Sequence, residues 1–206
     1  GSPNKYKPFA DNTFVLLAIL SESRYGNSDT SFTIPDYLDP KPIAGIISID
    51  VIDNRMTGLK SYDKIAITDA SGNSDINYVE RAYYYDYHGR LVQCREFCDV
   101  WSSCSSYKYD FRGNLLASIT SQRMAAADSE DVLEYQFTYD TRGRLLSQNV
   151  TLNGSTPAKV TYSYDELGRL AMTNYGEGVH TQSVTQNYDL RNWLTGQSCN
   201  AFSMLL

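Results

Sequence analysis

The chain is poor in the residues that build most catalytic centres. Among its 206 residues are two histidines, His88 and His180, and neither has a nucleophile at a recognisable spacing. There is no H-E-x-x-H signature and no glycine-rich phosphate loop. A serine–histidine–aspartate site is defined by geometry rather than spacing, and nothing in the sequence points to one. The cysteines are Cys94, Cys98, Cys104 and Cys199, the first three spaced C-x3-C-x5-C. A C-x2-C pair is lacking and neither histidine is placed as a fourth ligand, so no metal site is expected. The bland reading is that small residues fill one inter-strand loop; export would favour a Cys98–Cys104 or Cys94–Cys104 disulfide over a metal site.

An excess of positive charge is also missing. Lys and Arg number 18 against 24 Asp and Glu, a net charge of -6. That balance argues against nucleic acid or an anionic membrane as the main partner. The longest apolar run, "FVLLAIL" at 14–20, is too short to span a bilayer, so membrane insertion is not expected. No signal peptide is visible. The opening Gly-Ser reads as the residue of a cleaved tag, and "AFSMLL" brings no closing feature, so the chain is expected to be a fragment of something longer.

Tyrosine, by contrast, is abundant: 17 against 7 Phe and 2 Trp. Tyrosine suits a pleated, half-buried surface where its ring packs and its hydroxyl reaches a polar partner. Much of it falls in one pattern. Residues 83–91 read "YYYDYHGRL", 107–115 "YKYDFRGNL", 137–145 "FTYDTRGRL", 162–170 "YSYDELGRL" and 186–194 "QNYDLRNWL". The Tyr-Asp pairs are Tyr85-Asp86, Tyr109-Asp110, Tyr139-Asp140, Tyr164-Asp165 and Tyr188-Asp189, at intervals of 24, 30, 25 and 24. Recurrence in the twenties marks a repeat architecture. Tyr62-Asp63 lies 23 residues before Tyr85 but lacks the turn residue, and is a degenerate unit or a coincidence.

Each unit reads as one hairpin. Aromatic residues alternate before the aspartate, as in Tyr83 and Tyr85, which places both rings on one face of a strand. Three residues after the aspartate stands Gly89, Gly113, Gly143 or Gly168, and in the last unit Asn192. Asp first and Gly fourth is the preference of a type I turn, closed through a bulge by a left-handed fourth residue. Asn is the non-glycine residue that best tolerates that conformation. A leucine then opens the returning strand. Hairpins in series bury the aromatic–leucine face against their neighbours, whereas one alone is marginal. The expected fold is therefore all-β: tandem hairpins in a long, curled antiparallel sheet.

This pattern resembles the YD repeat of the bacterial Rhs (rearrangement hotspot) proteins, which also occurs in teneurins. The resemblance covers about residues 78–195 and, more loosely, 51–67. It implies an open part of a β-shell that encloses a variable C-terminal domain, in a secreted or cell-surface-associated protein. It also implies, alternatively, carbohydrate or ligand binding. The repeats are fewer than a closed shell needs, and no core segment or toxin domain is recognisable after the last one. On this reading 1–60 is a flanking β segment, 61–200 the array and 201–206 a tail. The partners expected are the remaining repeats and the C-terminal domain of the full-length protein, with carbohydrate as the alternative.

Other clusters are weaker. "DASGNSD" at 69–75 has oxygen-bearing residues at alternate positions, but its glycine is misplaced for a calcium loop, and a polar hairpin tip is expected. Asp128, Glu130, Asp131 and Glu134 resemble a carboxylate pair for glycoside chemistry, but a solvated loop explains the 30-residue interval better. No enzyme activity and no cofactor are expected. A sheet edge after the last unit is expected to leave the final residues disordered or to self-associate by strand addition.

Overall fold

A computed structural model describes residues 6–8, 14–16, 21–26, 32–53, 57–67, 77–124, 129–178 and 181–205. The strands are β1 (Tyr6–Pro8), β2 (Phe14–Leu16), β3 (Ser21–Tyr25), β4 (Lys60–Ile67), β5 (Asn77–Tyr85), β6 (Leu91–Cys98), β7 (Trp101–Tyr109) and β8 (Leu115–Met124). They continue as β9 (Asp131–Tyr139), β10 (Leu145–Leu152), β11 (Ala158–Tyr164), β12 (Leu170–Tyr175), β13 (Gln182–Tyr188), β14 (Leu194–Ser198) and β15 (Ser203–Leu205). β1 and β2 form a two-stranded sheet, and β3 to β15 follow one another in chain order in an open antiparallel sheet of 13 strands. The all-β hairpin architecture expected from the repeats is what the chain adopts.

One register recurs. The residue two after the leucine position pairs with the residue three before the next motif tyrosine: Gln93 with Ser106, Ser147 with Thr161, Met172 with Thr185. In the last unit the residue at the same place, Gly196, pairs with Leu205 of β15. It lies where the incoming strand of a further hairpin would lie. The expectation of disorder at the C-terminus is thus corrected for 203–205, because Gly196 lets a backbone approach closely: a Cβ there would sit 3.2 Å from the Met204 carbonyl.

The register also settles Tyr62-Asp63. Both lie inside β4, paired with Ala82 and Arg81, with no turn after them. The match to the motif is a coincidence. The motif position is taken instead by Tyr25, which pairs with Lys60 after a bulge, as Tyr85 pairs with Leu91. The tight turn is replaced there by an insertion from Gly26 to Leu59, whose ends meet through Gly26 N–H donating to the Leu59 carbonyl at 2.7 Å.

The chain divides into two compact units: 1–106 with 121–130, and 107–120 with 131–206. The first has a core. Leu38 from the insertion is fully buried, and Tyr62, Val79, Ala82, Tyr84, Val92, Cys98 and Cys104 are also buried. The second is a single layer. Among its described residues only Ala117, Thr173 and Gly196 are buried. Pairing puts Tyr135, Phe137, Gln148, Val150, Val160, Tyr162, Tyr175 and Val184 on one face of that layer. The opposite face carries Thr138, Ser147, Thr161, Asn174 and Ser183, joined by side-chain hydrogen bonds such as Thr138 to Ser147 at 2.6 Å.

Candidate functional site

The repeated turn is the feature the sequence singles out, and its chemistry is the same in each unit. Gly89 N–H donates to the Asp86 carbonyl at 2.9 Å and Asp86 N–H to the Arg90 carbonyl at 3.0 Å. Equivalent bonds close the turns at Asp110, Asp140, Asp165 and Asp189. The fourth residue is left-handed throughout: φ is +78° at Gly89, +93° at Gly113, +83° at Gly143, +86° at Gly168 and +66° at Asn192. This is the type I turn with a bulge that the spacing predicts.

The aspartate closes the turn from inside. Asp86 Oδ1 accepts the amides of His88 and Arg90, both at 2.9 Å, and Oδ2 accepts Arg90 Nε at 2.7 Å. Asp140 and Asp165 take Arg144 and Arg169 in the same way, each at 2.6 Å, and Asp110 takes Asn114 Nδ2 at 2.8 Å. Burial opposes charge on Asp86, but the Arg90 guanidinium and the turn amides outweigh it and hold the carboxyl below its ordinary 3.8. Burial likewise opposes charge on Asp110 and Asp165 but is outweighed, by the Asn114 side chain and turn amides at Asp110 and by the Arg169 guanidinium and turn amides at Asp165; Asp140 is held low chiefly by the Arg144 amide.

The tyrosine links one unit to the one before it. Its hydroxyl donates to the backbone carbonyl that opens the previous returning strand: Tyr85 to Lys60 at 2.9 Å, Tyr139 to Leu115 at 2.9 Å, Tyr164 to Leu145 at 2.8 Å and Tyr188 to Leu170 at 3.0 Å. Burial raises the Tyr85 and Tyr139 phenols above their ordinary value. The arginine links forward. Arg144 lies over the Tyr164 ring at 4.5 Å and Arg169 over Tyr188 at 4.8 Å. Arg169 Nη1 further donates to the Asp189 carbonyl at 3.0 Å and to Asn192 Oδ1 at 3.1 Å. The arginine's role was missed in the sequence, although Gly-Arg-Leu in three units was the signal for it.

The first unit holds a second polar cluster. Glu80 accepts Tyr37 Oη at 2.6 Å, Tyr62 Oη at 2.9 Å and Lys64 Nζ at 2.6 Å. Burial opposes its charge, yet these donors hold its carboxyl low. Tyr37 in turn is pushed up to about 12 by burial and by Glu80. Arg95 donates to the carbonyls of Tyr37 and Asp39, Gln93 pairs with the Lys41 backbone, and Tyr84 Oη donates to the Leu38 carbonyl. The bonds of Glu80 to Tyr37, of Arg95, of Gln93 to Lys41 and of Tyr84 fasten the insertion to the sheet, while Tyr62 and Lys64 join β4 to β5 through Glu80.

The remaining candidates do not converge. Cys94, Cys98 and Cys104 are free thiols, which corrects the disulfide reading. Cys94 pairs with Ser105 and Arg95 with Cys104, so Cys94 and Cys98 lie on the face opposite Cys104. Among the described residues no His, Cys, Asp or Glu group could hold a metal ion. The His88 ring lies tilted against that of Tyr87 in its turn, with centroids 3.9 Å apart. Asp131 accepts Asn153 Nδ2 at 2.9 Å across a hairpin. His180, Asp128 and the 69–75 stretch lie outside the described residues.

Residues 139–180 match the family model of the RHS Repeat. No curated protein matches the chain. No helix among the described residues is long and apolar enough to cross a membrane.

Proposed function

We propose that this chain, an Rhs/YD-repeat protein, is a non-enzymatic structural module of an exported protein, forming part of a shell or scaffold that encloses or presents a C-terminal effector domain. One observation carries the reading. The unit built from 107–120 and 131–206 is a single-layer sheet with an uncharged face of Tyr135, Phe137, Val150, Val160, Tyr162 and Val184, only half-buried. Sheets ordinarily cover one face with a second layer. A sheet held rigid by its own turns, with an apolar face left for another domain, suits a wall. Export agrees with the RHS repeat, which is typical of cell-surface or secreted proteins.

The rival, a carbohydrate-binding surface of exposed tyrosines, fits less well. The motif tyrosines donate their hydroxyls to backbone carbonyls, and arginines cover the rings of Tyr164 and Tyr188. The test is limited proteolysis of the full-length protein beside a Val160→Lys, Val184→Lys variant. The wall reading expects the C-terminal domain to be protected in the first and cut in the second; equal cleavage overturns it. A glycan-array screen in which a sugar binds and Tyr175→Ala abolishes binding would favour the rival.

A further inference from the structure

The first unit buries an arginine among neutral acceptors. Arg95 is 6% exposed; its Nη1 donates to the Asp39 carbonyl at 3.2 Å and its Nη2 to the Tyr37 carbonyl at 3.1 Å. Its Nε–H is buried and has no acceptor. A guanidinium placed this way favours an anion beside it. The residue beside it is Cys104, which pairs with Arg95 across β6 and β7, so the two side chains share one face about 5 Å apart at Cβ. Cys104 is also 6% exposed, and its Sγ lies 3.8 Å from Ser106 Oγ. Burial holds its thiol above the ordinary value and Glu130 adds to that, while Arg95, Ser106 and Lys41 pull the other way. Without the burial, those three groups favour a thiolate. Cys94 differs. On the opposite face, burial and then Glu96 raise its thiol, with Arg81 alone opposing them.

We infer that Cys104 is a redox-responsive thiol gated by the insertion: when residues 37–41 lift from the sheet, water and a hydroperoxide reach it, and Arg95 holds the sulfenate that forms. The gate is a small set of hydrogen bonds. Tyr84 Oη donates to the Leu38 carbonyl at 2.8 Å, Tyr37 Oη donates to Glu80 at 2.6 Å, and Gln93 exchanges two bonds of 2.8 Å with the Lys41 backbone. Lifting the segment also takes both carbonyl acceptors from Arg95 and frees its donors for an anion. One hydroperoxide balances the step. The thiolate sulfur attacks one peroxide oxygen; an S–O bond forms and the O–O bond breaks. The other oxygen leaves with the thiol's proton, as water when the oxidant is hydrogen peroxide. Sulfur gives up two electrons and the peroxide takes them. The sulfenic acid ionises beside the guanidinium and supplies the acceptor that the Arg95 Nε–H lacks.

Trapping with dimedone, which captures sulfenic acid, tests this: hydrogen peroxide is added to the folded chain and the adducts are located by mass spectrometry. The wild-type chain should label slowly at Cys104. Tyr84→Phe and Tyr37→Phe each remove one fastening hydroxyl and should speed that labelling about fivefold, and together about twentyfold, with circular dichroism unchanged. Cys98, 3% exposed and on the other face, should stay unlabelled throughout, and so reports any general unfolding. In the doubly substituted chain Arg95→Gln should slow Cys104 labelling by at least about tenfold, although it also removes the guanidinium bonds to the insertion. A residue that only fastened the insertion would give the opposite sign. Labelling at Cys104 indifferent to the tyrosine variants, labelling of Cys98 that rises in step with it, or an Arg95→Gln chain that reacts faster would each overturn the inference.

Discussion

Replacing the turn glycines with alanine separates the backbone requirement from the links between units. Gly113 and Gly168 adopt nearly the same φ, +93° and +86°, but their surroundings differ. A Cβ on Gly113 meets nothing within 4 Å, whereas one on Gly168 lies 3.2 Å from Arg144 Nη1. An L-residue held left-handed costs about 1–2 kcal/mol. Alanine recovers about 0.4–1 kcal/mol by restricting the unfolded chain. Gly113→Ala should therefore destabilise by about 1 kcal/mol, read from urea denaturation followed by circular dichroism. At Gly168 the new methyl also displaces Arg144, which is bound to Asp140 and stacked on Tyr164. Losing part of that stack adds about 0.5 kcal/mol. In an Arg144→Ala background the excess should vanish, leaving both substitutions equal. A Gly113→Ala chain more stable than wild type would refute the left-handed requirement. An excess at Gly168 that survives Arg144→Ala would refute the arginine link.

Arg169→Lys keeps the charge but cannot reach Asp165, the Asp189 carbonyl and Asn192 together, so it should cost about 1 kcal/mol in the same assay. Acid should act late. Asp86, Asp110, Asp140 and Asp165 are held below their ordinary value when folded, so their contribution is present above the unfolded pKa and lost as pH falls through the folded ones. The urea midpoint should stay level from neutral pH to about 5 and fall below about pH 4; a fall starting near pH 6 would implicate histidine instead. Burial pushes the Cys94 thiol up to about 12, so a thiol reagent at pH 8 should label Cys94 slowly until denaturant is added. Rapid labelling of the folded chain at that position would contradict its placement.

The array was legible in the sequence because each turn is local. Asp86 and Gly89, or Asp189 and Asn192, are three residues apart, and a turn needs no information from elsewhere. Period-two aromatics likewise specify a strand and its face. What could not be read depends on distant partners. Tyr25 takes the motif position only through its pairing with Lys60, across an insertion, and it has no aspartate after it. Tyr62-Asp63 carries the letters of the motif inside a continuous strand, where pairing with β5 overrides them. The cysteine cluster looked like a possible bridge because spacing does not reveal that a short hairpin sends Cys94 and Cys104 to opposite faces. The arginine after the glycine was visible as a letter. Its contacts with Tyr164 or Tyr188, twenty or so residues on, belong to the sheet rather than to the unit.

The central claim is that the motif tyrosine is a rung between hairpins, spent on the backbone rather than offered to a ligand. Its most direct test is the unfolding free energy of the Tyr139→Phe, Tyr164→Phe, Tyr188→Phe triple variant, which keeps each ring and removes the hydroxyls donated to Leu115, Leu145 and Leu170. Each such bond contributes about 0.5–1.5 kcal/mol, so the triple variant should lose about 1.5–4.5 kcal/mol while Tyr175→Phe, at a half-exposed ring, changes nothing measurable. A triple variant as stable as wild type would contradict the account.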